Sequence, residues 1–314
     1  MRDRLDPLPQ LRGARMLTDS GIETDVIYHA GRDLPGFALF PLLEDDDGRA
    51  ILERFYRSHL EAAAAHGYGY VLETPSWRSN PDWGARVGYA QERLDELDRD
   101  GVAFLRAIRD TAPAGVGPIA VSGLIGPRGD GYVVEHAMTA EDARRYHDHQ
   151  VGVFADAGCD LVSGCTITYP AEGIGIALAA RDHGVPAMLY FTLEVDGRLP
   201  DGTRLADAIA AVDDATGGSL AYFGVNCAHP DHIERALADA GAWTGRIRAI
   251  RANASRMSHA ELDKATELDD GDPEDLAAGY RKLREVLRDV TVFGGCCGTD
   301  LRHVRAVAAA VAGA

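Results

Sequence analysis

The sequence is short of positive charge. Its 314 residues contain 32 Lys and Arg against 49 Asp and Glu, which gives a formal net charge of -17 at pH 7. A nucleic-acid-binding protein draws much of its affinity from basic groups that neutralise phosphates, and an anionic membrane surface attracts polybasic segments. The charge deficit therefore argues against nucleic acid and against a membrane surface as partners.

Long apolar runs are also missing. No stretch approaches the roughly 20 apolar residues that a helix needs to span a bilayer, and residues 1–6 carry no apolar region of a secretory signal. With 46% hydrophobic and 26% charged residues, the composition is that of an ordinary globular chain. We therefore expect a cytoplasmic protein, in which thiols stay reduced and grouped cysteines serve metal binding or catalysis more often than disulfides.

Cysteine is scarce, and three of the five cysteines occupy unusual positions. Cys296 and Cys297 are adjacent within Gly-Cys-Cys-Gly, and Cys227 ends the segment Gly-Val-Asn-Cys. The chain lacks the two CxxC pairs of a structural four-cysteine zinc site. Three thiolates that leave one tetrahedral position open instead suit a catalytic zinc ion. The pattern thus predicts zinc on these three sulfurs; the alternative is that they are small buried apolar side chains.

Short apolar segments alternate with helical patterns along the chain. Segments such as 141–158 and 274–288 place apolar residues at helical spacing beside charged faces. Alternation of this kind implies parallel βαβ units, and eight units over this length fit a single (β/α)8 TIM barrel, one domain over residues 1–314. No GxGxxG turn follows the first strand, which disfavours an open doubly wound sheet. The predicted strands are 15–18, 70–73, 119–122, 160–163, 187–192, 221–226, 246–250 and 291–294.

A barrel of this kind carries its chemistry at the carboxyl ends of the strands. Cys227 follows the sixth predicted strand, and Cys296 and Cys297 follow the eighth. Glycines flank these thiols, and we expect them to let the backbone approach the metal closely. Other polar residues at or just after strand ends are candidate substrate contacts: Asp19, Glu73, Thr74, Cys165, Thr192 and Asn253.

Six short motifs resemble those of one known family. Residues 224–227 and 294–299 resemble its two cysteine motifs, which are the most specific matches. The other four are residues 19–24, 73–80, 122–129, and 191–192 taken with 201–203. From about residue 14 to its C-terminus the chain resembles the homocysteine S-methyltransferase family, which includes betaine- and S-methylmethionine-dependent enzymes.

The resemblance implies a (β/α)8 barrel in which Cys227, Cys296 and Cys297 bind zinc and an acceptor thiol takes the open position. Coordination to a divalent cation deprotonates a thiol and makes it a nucleophile near neutral pH. A small onium donor then gives up a methyl group by in-line displacement. The implied reaction moves a methyl group from S-methylmethionine, betaine or S-adenosylmethionine to homocysteine and gives methionine. The sequence does not select among these donors, and it leaves a homo-oligomer open.

One departure from the family bears on the acceptor. The family's fourth strand usually ends in a Glu that is associated with the amino group of homocysteine, and here Cys165 occupies that position. A neutral thiol cannot replace a carboxylate that pairs with an ammonium without loss of binding. Either another carboxylate takes over, with Glu23, Glu73 and Glu194 as candidates, or the acceptor is a different small thiol or a selenol.

Two functions of other classes stand as alternatives. A non-catalytic zinc-thiolate protein would bind a thiol metabolite tightly and turn over no donor. A zinc hydrolase is disfavoured, because the chain has no HExxH motif and the predicted ligand set is all sulfur.

Supporting roles are predicted for residues near the thiols. Asn226 is expected to orient the backbone beside Cys227, as groups behind metal ligands commonly do. Tyr169, after the fourth strand, is expected to reach the metal when no thiol is bound. The candidates for a cation–π box around an onium donor are Trp77, Trp83, Tyr132 and Tyr169. The histidines expected on solvated helix faces past the cysteine motifs are His229, His232 and His303.

Overall fold

The apolar segments of the chain form the strands of a closed parallel barrel. The computed structural model describes residues 8–134, 137–262 and 264–312. Each strand pairs with the next one in chain order, and the first pairs with the last through Met16 and Val292. The strands are β1 Met16–Leu17, β2 Gly69–Glu73, β3 Ile119–Ile125, β4 Leu161–Ile167, β5 Ala187–Thr192, β6 Tyr222–Asn226, β7 Ile247–Ala252 and β8 Val292–Gly295. The predicted (β/α)8 barrel is confirmed.

Helices follow the strands and cover the outside of the barrel. Their ends carry ordinary stop and start signals: Thr139 accepts a hydrogen bond from the Asp142 backbone at the start of one helix, and Gly158 ends it in the left-handed conformation. No described helix is both long enough and apolar enough to cross a bilayer. The helices are α1 Asp46–Ala64, α2 Pro81–Arg86, α3 Gln91–Asp110, α4 Ala140–Ala157, α5 Pro170–His183, α6 Leu205–Thr216, α7 Pro230–Ala236, α8 His259–Leu262, α9 Pro273–Val286 and α10 Leu301–Ala312.

Shorter helical turns lie outside these elements. Ile22–Thr24 is a single helical turn that continues into the wider turn Asp25–His29. The remaining turns are 3₁₀ helices at Pro9–Arg12, Pro35–Phe37, Phe40–Glu44 and Ala242–Arg246.

The core has two layers because the strands are buried on both faces. One cluster packs inside the barrel, where Met16, Val71 and Ala120 belong to the same group of buried residues. The residue after each of the first two, Leu17 and Leu72, packs instead in the layer between strands and helices. Alternation of the side chains along a strand explains why sequence neighbours enter different layers.

β4 is irregular at the residues that matter for the acceptor. Its pairing with β5 shifts register between Gly164 and Ile167, so Cys165 and Thr166 fall within a bulge. Thr166 has a positive φ of 63°, which side chains with a branched Cβ rarely adopt. Bulges re-aim side chains and are common beside active sites. Here the bulge brings Cys165 to the wall of the cavity described below.

The glycines that end β8 are required by neighbouring protein atoms. A Cβ at Gly294 would lie 2.7 Å from the backbone oxygen of Asp19, and one at Gly295 would lie 2.2 Å from the hydroxyl of Thr299. Because these two glycines have no side chain, the end of β8 packs closely against the end of β1 and against the turn that follows β8. This close packing is a physical reason for these two glycines, and the predicted approach of the backbone to a metal stays a prediction.

Candidate metal centre and substrate cavity

A cavity of about 390 Å³ opens at the carboxyl ends of the strands. This volume lies within the usual range for sites that enclose small molecules. Residues at or just after the carboxyl ends of β1, β2, β3, β4, β6, β7 and β8 contribute to its lining, as the barrel topology requires. The predicted site residues that line it are Asp19, Glu73, Thr74, Cys165, Cys227, Cys296 and Cys297.

The three predicted sulfur ligands converge on one point. The sulfurs of Cys227, Cys296 and Cys297 all lie within 4.8 Å of one another, and those of Cys227 and Cys297 are 3.9 Å apart. Sulfurs bound tetrahedrally at about 2.3 Å from zinc would lie about 3.8 Å apart. The spacing and the soft donor set thus fit a metal ion with one further coordination position.

Backbone hydrogen bonds hold the two cysteine segments together. Cys227 has a positive φ of 50°, and its N–H donates to the carbonyl of Arg251 at 3.1 Å. Cys296 N–H donates to the carbonyl of Ala252 at 2.9 Å. Both segments are therefore anchored to β7, which lies between β6 and β8 in the sheet. This arrangement brings thiols about 70 residues apart in the chain to one site.

The thiols do not ionise equally. Hydrogen bonds from Cys227 and Cys297 lower the pKa of Cys296 well below its usual value, and the nearby Arg251 guanidinium lowers it further. The Tyr132 hydroxyl lies 3.5 Å from the Cys297 sulfur and 3.8 Å from that of Cys227. Burial raises the pKa of Tyr132 well above its ordinary value, so its phenol keeps its proton beside the sulfurs.

Asn226 connects the thiol cluster to the β4 bulge. Its Nδ2 lies 3.1 Å from the Cys165 sulfur and 3.4 Å from the Cys227 sulfur. Its Oδ1 accepts a hydrogen bond from the Thr166 backbone N–H at 3.1 Å. The predicted orienting role thus has a specific geometry, because one amide fixes both the bulge and the start of the Cys227 turn.

A histidine that the sequence did not single out supports Cys227 from another side. His259 Nε2 lies 2.7 Å from the Cys227 carbonyl oxygen, and His259 Nδ1 lies 3.1 Å from Glu194 Oε1. The His259 ring also packs against Tyr132, with ring centroids 4.1 Å apart. Glu194 therefore acts on the site through His259 and does not line the cavity.

The floor of the cavity carries a buried ion pair. Arg251 Nη1 donates to Glu73 Oε2, and Arg251 Nε donates to the Gly295 carbonyl at 3.1 Å. The side chains are 6% and 1% exposed. Burial raises the pKa of Glu73, and the adjacent guanidinium opposes that shift. Sequence reasoning missed Arg251; β7 contains two arginines, Arg248 and Arg251, and nothing in the strand's sequence marks the second as the buried one.

Two further carboxyl groups of the cavity, those of Asp19 and Glu23, lie near Arg251, which lowers their pKa values against the effect of burial. Asp19 accepts a hydrogen bond from the Tyr70 hydroxyl at 2.7 Å, and burial raises its pKa to about 8. Burial also raises the pKa of Glu23 to about 7. Neither carboxyl group forms an ion pair within the described residues. A cationic substrate group would favour the ionised form of both.

Like Asn226, three further predicted residues do not line the cavity. The Thr192 hydroxyl donates to the Cys227 carbonyl at 3.3 Å, and so holds the turn that carries Cys227 from outside the cavity. The Asn253 backbone bonds to Ala228, while its Oδ1 is buried without a partner. Tyr169 accepts a hydrogen bond from the Met138 N–H. The prediction that Tyr169 reaches the metal is thus corrected: its hydroxyl is held by that backbone contact, and Tyr132 lies beside the sulfurs.

The fold and the site together define a (β/α)8 barrel with a candidate metal centre of three thiols at its catalytic mouth. A family model described as Homocysteine S-methyltransferase matches residues 14–311. The chain belongs to the homocysteine S-methyltransferase family and is an enzyme of this kind.

Similar proteins agree with this placement. Homocysteine S-methyltransferase 4 of Zea mays is 25% identical over 318 residues, covering 95% of this chain and 90% of the maize protein. Methionine synthase of Mycobacterium tuberculosis is 27% identical over 276 residues, covering 83% of this chain and 21% of that protein. The metallated form of the homocysteine methyltransferase MmuM from Escherichia coli has the same fold, with a TM-score of 0.75, 21% identity and 98% of each chain covered.

Proposed function

We propose that this enzyme transfers a methyl group from a small onium donor to the thiol of homocysteine and forms methionine. The donors considered are S-methylmethionine, betaine and S-adenosylmethionine. The observation that carries the proposal is the convergence of the Cys227, Cys296 and Cys297 sulfurs within 4.8 Å at the cavity, in a chain of this family.

The proposed cofactor is zinc, held by these three cysteines. Zinc bound there would lower the pKa of the acceptor thiol, so that its sulfur is a nucleophile near neutral pH. The chain's own part is to keep the three sulfurs in position. His259 and Thr192 hold the Cys227 carbonyl, and Asn226 Nδ2 approaches the Cys227 sulfur.

The transfer step balances without an oxidant or a reductant. The acceptor thiol releases its proton to solvent water, and its sulfur attacks the methyl carbon of the donor. The bond between that carbon and the positively charged sulfur or nitrogen breaks, and its electron pair stays on that sulfur or nitrogen, which becomes neutral. The cavity's contribution is to align the two substrates, and alignment of this kind supplies about 7–11 kcal/mol in well-oriented reactions.

Homocysteine also brings an ammonium group that needs a carboxylate. Cys165 is buried, and burial raises the pKa of its thiol, so it offers no negative charge. Glu73 is already paired with Arg251. Asp19 and Glu23 line the cavity without an ion pair. We assign the ammonium to these two carboxylates.

A second acceptor class is favoured by one observation, the neutral thiol of Cys165 at the cavity wall. A small thiol or a selenol without an ammonium would lie beside this side chain without leaving a charge unpaired. In that case Asp19 and Glu23 would serve the cationic donor alone.

A competition assay separates these candidates. Zinc-loaded protein is incubated with each onium donor and an equimolar mixture of homocysteine and other small thiols and selenols, and products are followed by mass spectrometry. Methionine as the dominant product supports the proposal. A different methylated thiol or selenol, with homocysteine untouched, supports the second class. Absence of any methylated product with all three donors contradicts both.

A further inference from the structure

Arg78 is held in an unusual position on the wall of the cavity. It follows β2, and its guanidinium carbon lies 3.8 Å from the ring centroid of Trp77 and 3.7 Å from that of Trp83. The residue is 3% exposed and lines the cavity. Two indole rings therefore contact the flat guanidinium, and the edge that carries its N–H groups is the part left to form hydrogen bonds.

The buried charge of Arg78 has no direct ion-pair partner among the described residues. Its Nη1 donates to the Gly129 carbonyl at 3.0 Å, whereas Nε is buried without a partner. No carboxylate of the described residues lies within ion-pair distance of this guanidinium. Burial lowers the pKa of Arg78 to about 10, and the nearby Asp130, Tyr132 and Glu23 act in the opposite direction from beyond ion-pair distance. An unpaired cation in such a place is costly unless a ligand supplies an anion.

The same geometry changes the predicted role of the tryptophans. A cation–π box would need free faces of Trp77 and Trp83 for the onium group of the donor. Arg78 occupies a face of each ring, and Arg86 lies 4.4 Å from the Trp83 centroid as well. The protein's own cations thus use one face of the Trp77 ring and contact the Trp83 ring twice, and the wall presents a guanidinium that can attract an anion.

We propose that Arg78 binds the carboxylate of an amino-acid substrate through the free edge of its guanidinium. Arginine presents paired N–H groups that match the two oxygens of a carboxylate. This inference rests on the proposed methyl transfer, because the carboxylate belongs either to the thiol acceptor or to the onium donor. It restricts the substrates to carboxylate-bearing molecules and places their acidic end on the wall formed by the Trp77 and Trp83 rings.

Direct binding tests the inference without requiring turnover. Methionine and its decarboxylated analogue, 3-(methylthio)propylamine, are titrated calorimetrically into the zinc-loaded full chain. We expect the wild type to bind methionine about 10–100-fold more tightly than the analogue, and Arg78→Gln to lose this preference. Arg78→Lys should restore part of it, because it keeps the charge. Arg86→Gln is the matched control, since it removes an exposed guanidinium from the same Trp83 ring.

The outcomes separate a carboxylate site from a structural role. The inference is overturned if the wild type binds both ligands with equal affinity or binds neither. It is also overturned if Arg78→Gln lowers the affinity for both ligands by the same factor. These results stand whether or not methyl transfer occurs, so failure of the proposed function is seen separately in the competition assay.

Kinetics then identify which substrate carries the carboxylate. Homocysteine is compared with 3-aminopropanethiol at fixed S-methylmethionine, and S-methylmethionine with its decarboxylated sulfonium at fixed homocysteine. In Arg78→Gln, we expect a rise in KM with little change in kcat for only one of the two carboxylated substrates. That substrate is the one whose carboxylate Arg78 binds. A uniform loss of kcat in all four assays, with unchanged KM values, would contradict carboxylate binding.

Discussion

Arg251 and Glu73 form a buried ion pair across the floor of the cavity. The two residues belong to β7 and β2, which are not neighbours in the sheet, and the pair therefore ties opposite parts of the barrel mouth together. Arg251 also lies close enough to Cys296 to lower the pKa of that thiol. The Arg251 guanidinium thus stabilises the floor of the cavity and favours the ionised form of the Cys296 thiol.

Breaking this pair should destabilise the barrel strongly. Arg251→Met leaves the Glu73 carboxylate buried without its cationic partner, and loss of one member of a buried pair costs about 3–5 kcal/mol. Urea unfolding of the two single variants, Arg251→Met and Glu73→Gln, and of the double variant measures the coupling. We expect the double variant to be more stable than the sum of the single losses predicts. Strict additivity would show that the two side chains do not depend on each other.

Removing one sulfur should remove the metal. Cys297→Ser replaces a soft thiolate by a hydroxyl, so we expect the variant to lose zinc on dialysis and to lose methyl transfer at the same time. Metal content by mass spectrometry and product formation are measured on the same samples. Cys159→Ser is the control, because Cys159 is a free cysteine outside the cavity. A metal-free Cys297→Ser variant with full activity would contradict the proposed mechanism.

Much of the fold follows from periodicity in the sequence. The eight strands were predicted because apolar runs short enough for strands alternate with amphipathic helical segments, and all eight are confirmed. Strand ends are less predictable: β4 extends to Ile167, beyond the predicted end at residue 163, because a bulge lets it continue past Gly164. The three thiols could be placed at one mouth because parallel strands all end on the same side.

The rest of the site depends on contacts that sequence spacing does not encode. Arg251 and His259 take their roles from partners on distant elements, Glu73 and Glu194. The three histidines expected on solvated faces are buried instead, because local contacts hold them: His229, for example, caps α7 by accepting a hydrogen bond from the Asp231 N–H at 3.2 Å. A histidine near a helix start gives no sequence signal that distinguishes a cap from a solvated face.

The pH dependence of substrate binding should follow the ionisation of the Glu23 carboxyl group. Its pKa is raised to about 7 by burial, so the carboxylate becomes fully charged only as pH rises through neutrality. A cationic substrate binds the ionised form better, and we expect affinity to increase across this range. In Glu23→Gln the increase should be smaller and the affinity lower. Calorimetric titration with S-methylmethionine at several pH values measures both effects.

A nearby acid provides the control for this prediction. Asp25→Asn changes a carboxylate two residues away that pairs with His29 at 3.0 Å and does not line the cavity. It should leave the pH profile of binding unchanged. Glu23→Gln with the wild-type profile would show that Glu23 does not contact the cationic group, and Asp19 alone would then have to supply the charge.

Stability should fall with rising pH because of Asp98. This residue of α3 is 2% exposed and accepts a hydrogen bond from Gln150 at 3.2 Å. Burial raises its pKa from 3.8 to about 8, so the folded state favours the protonated form more than the unfolded chain does. The stabilisation is complete below about pH 4 and is lost as pH rises to about 8.

Asp98→Asn removes this titration while keeping the shape of the side chain. Unfolding by urea at roughly pH 5, 6.5 and 8 should therefore show a smaller loss of stability with pH in the variant than in the wild type. Asp110→Asn, at the exposed end of the same helix with a side chain 72% exposed, should follow the wild-type curve. If the stability of Asp98→Asn falls as much as that of the wild type between roughly pH 5 and pH 8, Asp98 is ionised in the folded protein over this whole range. The buried carboxylate would then need a compensating donor beyond Gln150, since an ionised carboxylate at 2% exposure is otherwise strongly disfavoured.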